Sequence, residues 1–480
     1  MKTTKASDDI YYEALRTRDS RFDGKFFVGV RTTGIYCRPI CPAKPKRENV
    51  EFFANYLLAE KSGYRPCLRC RPESAPMSSA WIGTSAIVRR AVRSIGSVSL
   101  LDFNEDEFSS LFGVSARHLR RLCRKEVGKT PKQLFTERQL NFSRQLIVET
   151  NLKLSEVAFA SGFKSVRRFN DAFKARFKRS PKMIRRLPIE SETGLKISIP
   201  YRPPYDYEGL YKTYSAHRVG NLEYFENGYI HRFIEHEGSF GKIVLCNEPK
   251  LNRIVVEIFI PDLTIIHSLI LNIRSYLDID SDPLVVANAL ECDAKTKMLL
   301  DRYPGIRLPS GWSLFETAIA VILGQLVSVE RGRMLVHDLI KLTGTPTPYQ
   351  MNGEVVIRFP TPQELTHSDL TSLKTTRQRK KTLLEFSKAV DQGDISLDST
   401  QDIPSFLEKV QTISGIGKWT ANNMALRVLR HTDAFPATDL ILNRALAIHS
   451  EKEIEKMSPW RAYAAALYWR EYAQKLGKKK

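Results

Sequence analysis

No run of about 18 apolar residues, the length a membrane helix needs, occurs in the chain. The opening MKTTKASDDIYYEAL has no apolar core, which argues against a secretory leader and makes a reducing cytoplasm or nucleoid the expected compartment. Cysteine is sparse and odd in number, 7 residues in all, which in an unexported chain favours metal ligation or reactive thiols over a disulfide framework. Acidic residues are in deficit, 53 against 74 Lys and Arg, for a net charge of +21. A field of that size points to a polyanionic partner, most commonly nucleic acid; a merely basic, solvated surface is the alternative that charge alone leaves open. Low complexity is missing too: the hydrophobic fraction is 42% and the aromatic fraction 10%, as in folded chains. At 480 residues the chain is too long for one core, so two to four domains are expected.

Four segments separate on composition. Residues 1–76 are rich in Arg, Pro, Cys and aromatics, with short strand-like runs such as 26–30. A Pro/Ser/Met stretch near 74–79 reads as a linker. Residues 82–187 alternate apolar and basic positions at helical spacing until Pro188 breaks the pattern. Residues 195–282 carry strand-like runs at 240–245 and 255–260. From 283 to 478 helical periodicity returns, interrupted by a turn-rich stretch at 343–362, and Lys478 to Lys480 read as a solvated tail. The expected fold class is therefore α+β and multidomain. It comprises a small metal-bound domain, an all-α double helix-turn-helix, an antiparallel-sheet α+β subdomain and an all-α helical domain.

Four of the cysteines form two close pairs, Cys37-x3-Cys41 and Cys67-x2-Cys70. Two knuckles of this kind are what a tetrahedral Zn²⁺ site needs, and a purely structural zinc site is the bland reading of the spacing. The flanks add more. The run from Val30 to Pro39 and the run from Gly63 to Pro72 resemble the N-terminal domain of the Ada family of bacterial adaptive-response proteins. The resemblance implies that Cys37 accepts a methyl group from a DNA methylphosphotriester, with Cys37, Cys41, Cys67 and Cys70 on one zinc ion. A zinc-bound thiolate stays deprotonated at neutral pH and remains a nucleophile, and the acceptor is consumed, so the reaction is stoichiometric. Arg38, Arg65, Arg69 and Arg71 are candidates to offset the cluster's charge and hold phosphate. The Pro-Cys-His-Arg motif of that family's second methyl acceptor is absent, and Cys123, Cys246 and Cys292 read as core residues.

Residues 82–187 contain an internal repeat. At an offset of 50, Ser115/Ser165, Arg117/Arg167, Leu119/Phe169, Val127/Phe177 and Pro131/Pro181 align, each copy following a glycine, Gly113 or Gly162. Glycine turn, Ser N-cap and basic helix make two helix-turn-helix units, and a merely solvated helical spacer is the alternative. The pair resembles the DNA-binding domain of the AraC family. That implies two helices in successive major grooves, led by Arg117 and His118 in one and by Val166 and Arg167 in the other. Such a regulator would engage RNA polymerase, and because the pair is internal the expected state is a monomer.

Near the C-terminus, Leu407 to Ala421 reads as a helix-hairpin-helix, with Gly415 and Gly417 at the turn, Lys418 beside them and apolar-periodic helices on either side. Thr412 stands where a P-loop would need glycine. Asp439 follows in an apolar run, where a helix cap is the bland reading. The arrangement resembles the helix-hairpin-helix DNA glycosylases, most closely their AlkA-type 3-methyladenine branch, over about 280 residues. The stretches from Pro203 to Tyr207 and from Leu323 to Val329 take part in the likeness. It implies Asp439 as the catalytic carboxylate, a base pocket with Trp419, Trp469 and Leu440, and Leu326 as an intercalating wedge with Gln325 beside it at the DNA. It also implies a monovalent cation at the hairpin. Trp460 reads as core, and Asn423 and Arg470 stand where that branch has pocket tyrosines. Bifunctional relatives carry a Schiff-base lysine at the position of Trp419, so the expected enzyme is a monofunctional hydrolase acting on flipped-out alkylated bases in duplex DNA. The competing reading is a methylation-responsive regulator whose glycosylase half is weak or inactive.

Overall fold

The computed structural model describes residues 5–19, 22–23, 26–53, 56–67, 70, 72, 86–96, 100–101, 103–185, 194–291, 294–351, 353–397, 403–446 and 451–477. The expected linker, the helix break at Pro188, Arg69, Arg71, Cys292 and the lysine tail lie outside the described residues. The chain divides into two compact units, 1–192 with 262–269, and 193–261 with 270–480.

The first unit opens with helix α1 (Lys5–Thr17) and a four-stranded sheet of β1 (Phe27–Val30), β2 (Ile35–Cys37), β3 (Val50–Phe53) and β4 (Arg65–Pro66), with α2 (Tyr56–Lys61) before the last strand. The order is β3-β1-β2-β4. Apolar Phe26, Val28, Val50 and Phe52 pack under α1 through Ala14 and Leu15, while Phe27, Tyr36 and Phe53 pack on the other side with Ala59. The alternation of strand side chains produces these two faces.

Helices α3 (Ala86–Ile95), α4 (Glu105–Ser110), α5 (Ala116–Val127), α6 (Pro131–Glu149), α7 (Leu154–Ala160), α8 (Val166–Phe177) and α9 (Pro181–Ile184) follow. The repeat is exact in register. Ser115 and Ser165 cap α5 and α8, each accepting from the backbone N–H three residues on, and both helices run 12 residues. Leu119 and Phe169 are fully buried, while Arg117 and Arg167 face solvent. Gly162 is required by space as well as by φ (+78°), since a Cβ there would lie 1.8 Å from the Leu100 carbonyl oxygen.

Zinc-type and helical domains of this unit meet through buried charge. Glu60 of α2 pairs with Lys129 and Arg176, Lys129 also meets Glu137 at 2.5 Å, and the Tyr36 hydroxyl donates to Glu60 at 2.6 Å. Burial pushes the Glu60 carboxyl up, but Arg176 and Lys129 outweigh it and hold it below the usual value; Glu137 is left raised by burial and by Glu60. Glu60→Ala would leave two buried cations to share one carboxylate. It is expected to cost about 3 kcal/mol of unit-1 stability, measurable by denaturant unfolding.

The second unit begins with a five-stranded antiparallel sheet, order β5-β9-β8-β7-β6, built from β5 (Leu195–Pro200), β6 (Glu223–Glu226), β7 (Tyr229–His236), β8 (Ser239–Glu248) and β9 (Arg253–Phe259). Helix α10 (Tyr207–Ala216) lies between the first two strands in sequence, and α11 (Ile266–Tyr276) follows the last. Then come α12 (Pro283–Leu290), α13 (Ala294–Arg302), α14 (Leu314–Leu323) and α15 (Val329–Thr343). The turn-rich stretch that interrupts the helices holds a hairpin, β10 (Thr345–Met351) and β11 (Glu354–Arg358). Pro346 and Pro348 hide the strand pattern in sequence, yet proline is tolerated in an edge strand. Helices α16 (Pro362–Thr366), α17 (Arg377–Asp391), α18 (Ile403–Gln411), α19 (Lys418–Arg427), α20 (Leu440–Leu446), α21 (Glu451–Lys456) and α22 (Arg461–Gly477) complete the unit. Two cores hold it. One joins α14, α15, α17, α18 and α19; the other gathers α12, α13 and α22, with Trp460 packed against it as expected.

Candidate functional site

The four sulfurs are assembled by a parallel strand pair. Ile35 and Tyr36 of β2 register with Arg65 and Pro66 of β4, and the Cys67 N–H donates to the Tyr36 carbonyl at 3.0 Å. Each strand ends one residue before, or at, the first cysteine of a pair, so Cys37 and Cys67 emerge side by side. Cys41 returns through a turn in which its N–H donates to the Arg38 carbonyl at 3.0 Å. All four sulfurs lie within 4.8 Å of one another. Tetrahedral Zn–S bonds of about 2.3 Å place sulfurs about 3.8 Å apart, so these residues fit one zinc ion and leave no need for another ligand.

Arg38 does not reach out toward phosphate. Its guanidinium forms a two-pronged ion pair with Asp23, Nε to Oδ1 at 2.8 Å, and its backbone N–H donates to the Cys70 sulfur at 3.4 Å. The pair is almost buried, with the Asp23 side chain 4% exposed. Arg38 therefore braces the cluster, and Arg65, half-buried on β4, is the remaining described arginine of the group. Nothing in the sequence marked Asp23 as its partner.

On the helical domain, Arg117 stands exposed at the start of α5, and His118 lies one residue on, its Nδ1 3.1 Å from Arg121. Arg167 and Arg168 are exposed at the start of α8. Arg120, which lies on the same helix as Arg117, is held by Glu105 in a bidentate pair at 3.0 Å and is not free to read DNA in this conformation.

In the second unit, the hairpin between α18 and α19 buries Ile413 and Ile416 and leaves Gly415 and Gly417 exposed. Gly415 sits at φ +91°, and a Cβ there would lie 2.3 Å from the Thr382 hydroxyl. Gly417 differs from expectation: its φ is −92° and nothing lies within 4 Å of an added Cβ. Its contribution is that it caps α19 without a side chain. The first-turn N–H groups of α19 thus stay open, with Lys418 exposed beside them, an arrangement suited to phosphate.

Asp439 is both a cap and more than a cap. Its Oδ1 accepts from the backbone N–H of Ile441 and Leu442, each at 3.0 Å, which starts α20. The indole of Trp469 on α22 also donates to Oδ1 at 3.2 Å, and the indole of Trp419 on α19 donates to Oδ2 at 3.0 Å. Three helices thus converge on one carboxylate, fixed by four N–H donors between two aromatic rings. Leu440 is 62% exposed. Asn423 turns its amide onto the Trp419 carbonyl at 3.1 Å, and Arg470 pairs with Asp206 at 3.3 Å and lies over the Tyr303 ring. Neither side chain is aromatic, so neither adds a ring to the two indoles.

Leu326 is fully exposed at φ +52°, a conformation a leucine rarely adopts. Gln325 is held by the protein: its amide donates to the Gly415 carbonyl at 3.0 Å and to the Thr420 hydroxyl at 2.7 Å.

Three family models match in turn: the metal binding domain of Ada over residues 10–73, a helix-turn-helix domain over 108–187 and the AlkA N-terminal domain over 196–313. The "Probable bifunctional transcriptional activator/DNA repair enzyme AlkA" of Mycobacterium tuberculosis is 30% identical over 478 residues, 95% of each chain. The chain belongs to this bifunctional AlkA family. DNA-3-methyladenine glycosylase 2 of Escherichia coli is 28% identical over 293 residues, 56% of this chain and 95% of that one. The bifunctional transcriptional activator/DNA repair enzyme Ada of Escherichia coli is 37% identical over 132 residues, 27% of this chain and 36% of that one. No described helix is long and apolar enough to cross a membrane.

Proposed function

We propose that this bifunctional AlkA-family chain binds DNA, excises alkylated bases of the 3-methyladenine type as a monofunctional glycosylase, and reports backbone methylation through Cys37. The observation that carries the first activity is Asp439, held between Trp419 and Trp469 at the open end of the hairpin. A methylated purine is a cation; the two indole faces attract it at about 0.5–2 kcal/mol, and Leu326 fills the gap its flipping leaves. The Asp439 carboxylate stabilises positive charge growing on the sugar and orients the attacking water, whose proton it can take, while the neutralised purine departs. Gly415, Gly417 and Lys418 hold the backbone of the damaged strand.

In the first unit, Cys37, Cys41, Cys67 and Cys70 would hold one zinc ion, which when bound would keep their sulfurs as thiolates. The Cys37 sulfur attacks the methyl carbon of a phosphotriester; the S–C bond forms as the C–O bond breaks, and the phosphate leaves as an ordinary diester anion. Arg117, His118 and Arg167 read promoter DNA from α5 and α8, with Arg65 on nearby phosphate. The protein works as a monomer in the bacterial cytoplasm and recruits RNA polymerase once bound.

One incubation tests both chemical activities. Protein with one zinc bound is mixed with methylated duplex, and released bases and S-methylcysteine are measured together. Both are expected, in separate peptides and fractions. Borohydride is expected to trap no protein–DNA adduct, because Trp419 occupies the lysine position of lyase relatives; a trapped adduct would overturn the monofunctional assignment.

A further inference from the structure

The wedge loop is tied to the catalytic helix by a side chain first expected at the DNA. Gln325 precedes Leu326, and its amide nitrogen must face the Gly415 oxygen, because a carbonyl only accepts. The same nitrogen donates to the Thr420 hydroxyl, and Thr420 is 3% exposed on the first turn of α19. The neighbour of Thr420 is Trp419, whose indole holds Asp439. A continuous path therefore runs from Leu326 through Gln325, Thr420 and Trp419 to the carboxylate.

The other side of the loop is bracketed by the start of α17. Arg379 donates to the Gln325 backbone carbonyl and to the Thr375 hydroxyl. From the same helix, the Thr382 hydroxyl donates to the Ser414 carbonyl at 2.7 Å and Gln378 reaches the Ser414 hydroxyl at 3.0 Å. One helical turn thus holds the wedge loop and the hairpin together. Leu326 needs such support: an exposed leucine at φ +52° has no packing of its own to keep it there.

We propose that Gln325, latched to Gly415 and Thr420, is a positioning residue that fixes the wedge in register with Asp439, so that hairpin, wedge and carboxylate meet the DNA as one rigid piece. This rests on the reading of Leu326 as wedge and Asp439 as catalyst. The Gln325 amide nitrogen is spent inside the protein, and its effect on repair passes through Thr420.

A double-mutant cycle tests it in the full-length protein. Q325M keeps length without the hydrogen bonds, T420V keeps shape without the hydroxyl, and T420S keeps the hydroxyl. Readouts are 2-aminopurine fluorescence beside the lesion for flipping, single-turnover base release, and affinity for undamaged duplex, with thermal melting to confirm folding. Q325M and T420V are each expected to lower flipping and single-turnover release by roughly three- to tenfold, the scale of one lost part-buried hydrogen bond, at unchanged duplex affinity. The double mutant is expected to be no worse than the poorer single, and T420S to restore activity. A T420V protein that flips normally while Q325M does not would overturn the latch and return Gln325 to direct DNA contact, as would losses that simply multiply. L326A separates the premises. Normal flipping in L326A removes the wedge and the latch with it, whereas impaired L326A with uncoupled Q325M and T420V removes the latch alone.

Discussion

Asp439→Asn is expected to cut base release by orders of magnitude while leaving the protein folded and bound to DNA. Asparagine caps helices as well as aspartate does, so the Ile441 and Leu442 N–H groups keep an acceptor and α20 keeps its start. The chemistry does not survive the change. The negative charge that stabilises the sugar cation is gone, and the amide of Asn has one acceptor where the carboxylate has two. With its oxygen on the cap, its NH₂ faces the Trp419 indole N–H, donor against donor. Single-turnover excision should fall by about 10²–10⁴-fold, with duplex affinity and melting temperature near those of the parent and S-methylcysteine formation intact. Release within a few-fold of the parent would return the second unit to a DNA-binding role without catalysis, the reading of a regulator with an inactive repair half.

Local signals in the chain predicted local structure well, and the reasons are physical. Two close cysteine pairs can bring four sulfurs together, and they do; a serine after a glycine turn caps a helix, and Ser115 and Ser165 both do so. Asp439 was legible as a cap, and it is one: Oδ1 accepts from the start of α20, while Oδ2 is left to the Trp419 indole, the carboxylate that the proposed catalysis would use. What the sequence could not convey was polar pairing across long separations. Arg38 read as a candidate phosphate ligand, and the structure pairs it with Asp23; Gln325 read as a DNA contact, and its amide nitrogen meets partners 90 and 95 residues away. The union of Glu60 with Arg176 spans 116 residues. Hydrophobic faces repeat with the period of their helix or strand, but a single buried ion pair has no period and leaves no trace in spacing. The parallel pairing of β2 with β4 was hidden for a related reason: β4 is only two residues long, one of them proline.

The capture of Arg38 sharpens what Cys37→Ala should do. Zinc with four thiolates carries a formal charge of −2, and an arginine already neutralised by Asp23 does little to cancel it. Phosphate approaching Cys37 therefore meets net repulsion until a methyl group converts one thiolate to a neutral thioether and leaves −1. Alanine at 37 removes the same thiolate and leaves the same −1, provided Cys41, Cys67 and Cys70 retain the metal. The variant should form no S-methylcysteine, excise bases at the parental rate, and bind promoter DNA as tightly before exposure to alkylated DNA as the parent does after it. One unit charge about 6 Å from a phosphate near a protein surface is worth roughly 1–3 kcal/mol, about ten- to a hundredfold in affinity, and the gain should shrink as salt rises. Titrations of parent, methylated parent and variant at several salt concentrations, with bound zinc measured in each, read this directly. A zinc-replete variant that binds like the unmethylated parent would show that methylation acts by changing the shape around Cys37 and Tyr36, a path that leads through Glu60 to Arg176 on α8.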